Sequence, residues 1–234
     1  MKRSKWRLRV GIALFVALLL SILFAIYKII TTPQGIENIY SRSHYTLILI
    51  QCCLGLLVTA LPSILERKFS LAIPNSMSIA YYIFLFCAVY LGEVHNFYYL
   101  IPYWDNILHC FSGAMLGALG FTLVKILNDS DRVHVVLSPV FICLFAFCFA
   151  LAAGAVWEIY EFTGDTIFSL NMQKYRLEDG TMLAGSEALE DTMHDLIIDA
   201  VGALSVVIVG FAKEFFRKNK AKKAKKAIQQ KESV

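Results

Sequence analysis

Long apolar runs separated by short polar stretches organise this chain, at about residues 8–30, 45–65, 76–92, 103–127, 134 or 139 to 162, and 189–211. Each is close to the roughly 20 residues that a helix needs to cross a bilayer core of about 30 Å. The pattern predicts an all-α, polytopic membrane protein, a six-transmembrane-helix bundle over 1–217, followed by a polybasic tail at 218–234. Breaks fall where polar and turn-forming residues cluster: Pro33 and Gly35 in the first link, Glu66-Arg67-Lys68 after the second run, and Pro74-Asn75 before the third. Between about 166 and 188 the chain turns polar and contains Asp179-Gly180, which predicts a loose loop or small hairpin on the outer side, placed to act as a lid. Gly113, Gly117 and Gly120 mark the fourth run as a helix that others approach closely.

Composition agrees. At 58% hydrophobic and 17% charged, the chain is more apolar than a soluble domain, whose share is about 45 to 50%. The run after Lys2, Arg3, Lys5, Arg7 and Arg9 is longer than a signal-peptide core of about 7 to 15 residues, and no small-x-small site follows before Lys28, so it predicts a retained first helix. With an even number of crossings both termini lie on one side. That side collects all of the 22 Lys and Arg except Lys28, Arg42, Lys174 and Arg176, so the positive-inside rule puts both termini in the cytoplasm. The basic charge thus fits a membrane surface and lipid headgroups, with no nucleic acid. The cysteines lie in apolar runs without CxxC spacing, which predicts small buried hydrophobes.

Carboxylates and imidazoles change the picture. Asp105 and His109, then Glu158, Glu161 and Asp165, then Asp191, His194, Asp195 and Asp199 stand at the predicted extracytoplasmic ends of helices, spaced three, four or seven apart so that each set shares a face. Such residues cost about 2.5 to 3.5 kcal/mol each at mid-helix. With a rise of about 1.5 Å per residue, Asp199 lies about 12 Å below Asp191, deeper than a snorkelling acid needs. So many acids require protons, a metal or a basic group such as Lys174 or Arg176. Carboxylates mixed with imidazole suit a divalent transition metal, zinc, manganese or iron, as in bundle cores that project acid-x-x-His pairs. The candidate metal set is Asp105, His109, Glu158, Asp191, His194 and Asp199. Glu158, Asp191, His194 and His109 are the preferred ligands, Asp105 orients His109, and Glu161 or Asp195 acts as general base.

The chemistry this predicts is metal-dependent hydrolysis or group transfer on a lipid or lipid-linked envelope substrate entering from the outer leaflet. A proton- or cation-coupled transporter using the same acids as a relay is the alternative, although little beyond Thr122 and Ser205 continues the polar path below Asp199. An accessory membrane protein without catalysis is the third class, in which Asp199 against Ser112 or Thr122 is interhelical glue. Nothing in the sequence sets the oligomeric state.

Asp105-Asn-Ile-Leu-His109 with Phe111-Ser-Gly113, then Val156-Trp157-Glu158-Ile-Tyr-Glu161-Phe162, then Asp191-Thr-Met-His-Asp195-Leu with Asp199 and Gly202-Ala203, resemble the YjdF-type family of uncharacterised bacterial inner-membrane proteins. These blocks cover about half the chain. Their order is distantly similar to that of the VanZ-like proteins. The resemblance implies a polytopic plasma-membrane protein connected with the cell envelope, and supports Asp105, His109, Glu158, Glu161, Asp191, Asp195 and Asp199. It supplies no reaction, and His194 stands where the family has a small polar residue.

Overall fold

The computed structural model describes residues 4–33, 42–68, 73–128, 137–177 and 180–232, without side chains for 125–128, 214 and 217–232. Its helices are α1 (Lys5–Thr31), α2 (Arg42–Thr59), α3 (Leu61–Lys68), α4 (Asn75–Leu85), a π-helical segment (Phe86–Val94), α5 (Phe97–Leu100), α6 (Trp104–Asn128), α7 (Pro139–Phe168) and α8 (Glu187–Glu232). Among the described residues, six stretches are long and apolar enough to cross a membrane, with α2 and α3 together making one and α4 with the π segment another. The all-α, six-span architecture is as the hydropathy pattern predicts.

Local chemistry explains several boundaries. Ser4 caps α1 by accepting from the Trp6 backbone N–H, and Ser138 caps α7 by accepting from that of Phe141, with Pro139 at the first helical position where its missing N–H costs nothing. The second span breaks at Ala60 because Pro62 has no N–H to offer the Val58 carbonyl. The Tyr81 hydroxyl donates to that carbonyl instead, at 2.9 Å.

Three predicted boundaries move. The third run, expected as one helix to Gly92, widens into the π segment from Phe86. The fifth, expected to stop near Phe162, continues to Phe168, so Asp165 is helical; the alternative start at His134 lies outside the described residues. The sixth, expected over about 189–211, runs without a break from Glu187 to Glu232 as α8.

The spans form two groups. α1, α2, α4 and the π segment pack on one another around Leu14, Leu18, Ile48, Cys52, Tyr82 and Val89. α6, α7 and α8 pack on one another more closely still. A Cβ added at Gly113 would fall on the Asp199 carbonyl, and one at Gly202 on the Cys110 carbonyl, so only glycine lets α6 and α8 meet backbone to backbone. No disulfide forms among the described residues; Cys52 is buried, while Cys53, Cys110 and Cys148 are exposed on helix faces.

Candidate functional site

The start of α6, the end of α7 and the start of α8 meet at one end of the tightly packed group. Asp105 and His109 on α6 face Asp195 and Asp199 on α8, each pair one helical turn apart. His109 is 7% exposed and lies at the centre. Its Nδ1 is 3.3 Å from Asp199 Oδ2, and its Nε2 is 3.6 Å from both Asp105 Oδ1 and Asp195 Oδ2. Ser112 Oγ lies 2.8 Å from Asp199 Oδ1 and 2.9 Å from the His109 carbonyl, so its proton fixes the carboxylate that fixes the ring. Gly154 makes room behind Asp199, since a Cβ there would fall on the carboxylate.

Ligand atoms of Asp105, His109 and Asp195 all lie within 4.8 Å of one another. Around a tetrahedral ion with bonds of about 2.1 Å, ligand atoms stand about 3.4 Å apart, close to the two 3.6 Å separations measured from Nε2. Asp199 holds the opposite ring nitrogen, the arrangement by which a carboxylate orients a metal-binding imidazole. Asp199 thus stands at Nδ1, and Asp105, expected to orient the ring, stands at Nε2.

The remaining predicted residues divide. Asp191 Oδ1 accepts from Lys174 Nζ at 2.9 Å, which leaves it committed to the loop. Glu161 accepts from Trp157 Nε1 at 2.9 Å. Glu158 is 5% exposed, and neither of its oxygens makes a hydrogen bond of ordinary geometry among the described residues; the Thr192 hydroxyl is its polar neighbour and accepts from Gln173 Nε2. Asp195 Oδ2 is likewise buried without a hydrogen bond. His194 is a correction. It is exposed, because Asp195 and Asp199 set which face of α8 meets α6, and the residue before Asp195 turns about 100° away from that face.

Lys174 covers the centre. It forms ion pairs with Asp105 and Asp191 and has a left-handed backbone (φ 47°), which costs an L-residue roughly 1 to 2 kcal/mol. Asp165 holds the preceding turn by accepting the backbone N–H groups of Met172 (2.8 Å) and Gln173 (3.0 Å). An isolated antiparallel bridge joins Arg176 to Met182, the small hairpin expected in this loop. Burial works to lower the Lys174 ammonium pKa, but the Asp105 and Asp191 carboxylates outweigh it and hold it above the ordinary lysine value.

A cavity of about 250 Å³ opens between the two helix groups. His109, Asp105, Ser112 and Asp199 form part of its wall, with Lys174 and Glu161. The facing wall carries Gln51 from α2, Glu93 from the π segment, and Tyr98. Burial, then the charges of Asp105, Glu93, Glu161 and Asp195, push the Tyr98 phenol well up.

The model of DUF2238, described as a predicted membrane protein, matches residues 8–214. The chain belongs to this family. It is an integral membrane protein, in agreement with its resemblance to YjdF-type proteins. A Thermotoga maritima protein described as uncharacterized is 29% identical over 153 residues, covering 65% of this chain and 71% of the relative. No solved structure matches.

The DUF2238 match spans both helix groups, yet the candidate residues read from the sequence all came from α6, α7 and α8. Gln51 gave no periodic signal inside an apolar run, Glu93 looked like a helix end, and Tyr98 looked like part of an interfacial aromatic belt. Gly154 carried the one available hint, a small residue one turn before Glu158 on the acid-bearing face.

Proposed function

We propose that this chain is a bacterial plasma-membrane enzyme that hydrolyses or transfers a group on a lipid or lipid-linked envelope substrate. A divalent transition metal (zinc, manganese or iron) is held by Asp105, His109 and Asp195. The observation that carries this reading is the pair of separations from His109 Nε2, each 3.6 Å to a carboxylate oxygen, with Nδ1 turned to Asp199. Asp199 then fixes the tautomer that leaves the Nε2 lone pair free for the ion. Such an ion lowers the pKa of bound water and polarises an acyl or phosphoryl oxygen. Glu158, buried beside the cluster with the Thr192 hydroxyl as its polar neighbour, is the acceptor for the water proton. Asp195 is thereby reassigned from base to ligand, Asp191 to loop anchoring, and Glu161 to the cavity wall.

The excess of Lys and Arg at the opposite helix ends and in the tail favours cytoplasmic termini by the positive-inside rule, and with them an outward-facing centre. The relay alternative loses ground, because the Thr122 and Ser205 hydroxyls below Asp199 both return to carbonyls of their own helix, Ala118 at 2.9 Å and Gly202 at 2.7 Å.

Elemental analysis of the detergent-purified protein beside Asp195→Asn and His109→Gln tests the proposal. Near-stoichiometric metal in the wild type, lost in both variants while the helical signal persists, is the expected result. A wild-type protein without metal, whose melting temperature neither zinc nor manganese raises, sinks it.

A further inference from the structure

The cavity wall opposite His109 carries polar groups that the metal chemistry does not use. Gln51 is 4% exposed, lines the cavity, and makes no hydrogen bond among the described residues. A buried amide without a partner is costly, and chains keep one where a ligand or water completes it. Glu93, one helix over, also lines the cavity and has neither a hydrogen bond nor an ion pair at contact distance among the described residues. Both come from the helix group that contributes nothing to the His109 cluster.

Charge decides what kind of head group these residues receive. Glu93, Glu161, Asp105 and Asp199 line the cavity against one lysine, Lys174, which is already bound to Asp105 and Asp191. A dication held by Asp105, His109 and Asp195 would offset the carboxylates around His109 and leave Glu93 and Glu161 without a cationic partner, so that an ammonium is the group that lets them carry charge. An anionic head group would meet that residual field as a like charge, whereas an ammonium would be drawn to it. The rings of Tyr81, Tyr98, Tyr99 and Trp157 add faces that attract a cation. Deeper in, Leu47, Phe84, Leu85, Val89 and Met115 leave a surface suited to hydrocarbon.

We propose that the cavity binds an ammonium-bearing amphiphile, its nitrogen at the Glu93 carboxylate and the Gln51 amide and its hydrocarbon chain along the apolar wall. This rests on the enzyme reading, for which it names the substrate class: an amine-bearing lipid. Glu93 and Gln51 set specificity from outside the metal centre.

Calorimetric titration of the full-length protein in non-ionic dodecyl maltoside, with decylammonium and separately with decyl phosphate, tests this while metal content is followed in the same samples. Decylammonium should bind saturably at one site. Decyl phosphate should bind at least about tenfold more weakly, Glu93→Gln should weaken decylammonium by about tenfold or more, and Gln51→Leu by about threefold, with metal content unchanged. Equal or tighter binding of decyl phosphate to the wild type overturns the proposal, and that comparison requires no variant to fold. Undiminished binding in a folded Glu93→Gln protein overturns it as well. Metal-free protein that still binds decylammonium through Glu93 sinks the enzyme reading and leaves this site standing; metal-loaded protein indifferent to decylammonium does the reverse.

Discussion

The two helix groups solve the same packing problem with different materials. Around α1, α2 and α4 the packing is mostly by large apolar side chains, Leu14, Leu18, Ile48, Leu85 and Val89 among them, with Arg7 buried against Glu66. Between α6, α7 and α8 small and ionisable residues take many of the buried positions beside Leu108, Val124 and Val207: on α7, Ala146, Ala150 and Gly154 are followed turn by turn by Glu158, Glu161 and Asp165. Lipid tails are as apolar as leucine, so hydrophobic burial gives little net drive for helices to associate in a bilayer. Close backbone approach and interhelical hydrogen bonds give more, and the second group uses both. A rigid contact of that kind also holds His109 between four helix positions, which a catalytic or binding centre needs.

The difference should be largest under added volume. Gly202→Ala drives a methyl group into the Cys110 carbonyl, whereas at Gly55 the nearest atom to an added Cβ is Leu18 Cδ1 at 3.1 Å, the end of a flexible side chain. Gly202→Ala should cost about 3 kcal/mol and Gly55→Ala less than about 1, read as loss of melting temperature in detergent. Comparable losses at the two glycines would erase the distinction between the groups.

Removing polarity comes next. Asp199 is 2% exposed and serves both His109 and Ser112, so Asp199→Ala takes the Nδ1 partner from the buried ring and leaves Ser112 only the His109 carbonyl, at a cost of about 2 to 3 kcal/mol. Metal binding should fall with it. Asp199→Asn keeps the shape and should recover most of the stability, but an amide cannot take up the positive charge of a liganded ring, so metal affinity should stay reduced by about 10- to 100-fold. Full metal affinity in Asp199→Asn would place the residue outside the centre's chemistry.

Much of this was legible from residue spacing. Apolar runs of spanning length gave the six helices, and spacing put Asp105 with His109 and Asp195 with Asp199 on shared faces, although Glu158, Asp191, His194 and His109 were the preferred ligands and only the fold shows that the two pairs face each other. Face assignment was less legible for His194: Asp191 and His194 share a spacing that suits a ligand pair, but the Gly202 contact rotates α8 so that Asp195 and Asp199 point inward. Long-range anchoring was not legible at all. Nothing in the run through Asp165 says that its carboxylate will hold the backbone of Met172 and Gln173, or that the resulting turn will lower Lys174 onto two acids. The facing wall was missed because an isolated Gln or Glu in an apolar run has no periodicity, and only the fold brings Gln51 and Glu93 to the same cavity.

Lys174 gives an alkaline pH-dependent test that the first helix group cannot imitate, because the cation of its buried ion pair, Arg7 with Glu66, is a guanidinium that stays protonated over the same range. Its folded pKa is raised above the ordinary lysine value, so its contribution is fully present below that value, about 10.4, and is lost as pH rises through the higher folded one. Lys174→Met should therefore lower the melting temperature at pH 7 and 9 by the same amount, and the two proteins should converge only above about pH 10.4. Convergence already by pH 9 would mean that the carboxylates do not hold the ammonium.

The smallest expected effect lies in the first group and isolates one hydrogen bond. Pro62 leaves the Val58 carbonyl without its helical donor, and the Tyr81 hydroxyl supplies one from α4. Tyr81→Phe should cost about 1 kcal/mol. Pro62→Ala offers an N–H at position 62, and the chain can then close the helix across Ala60, where the backbone now bonds Ala60 N to Leu57 O and Ser63 N to Ala60 O. In that background the carbonyl has its own donor, so Tyr81→Phe should cost close to nothing. The cycle should therefore show a coupling of about 1 kcal/mol between residues on different helices. Additive losses would mean that the hydroxyl does not stand in for the missing Pro62 N–H, and that the bond from Tyr81 to Val58 is not a repair of the helix break.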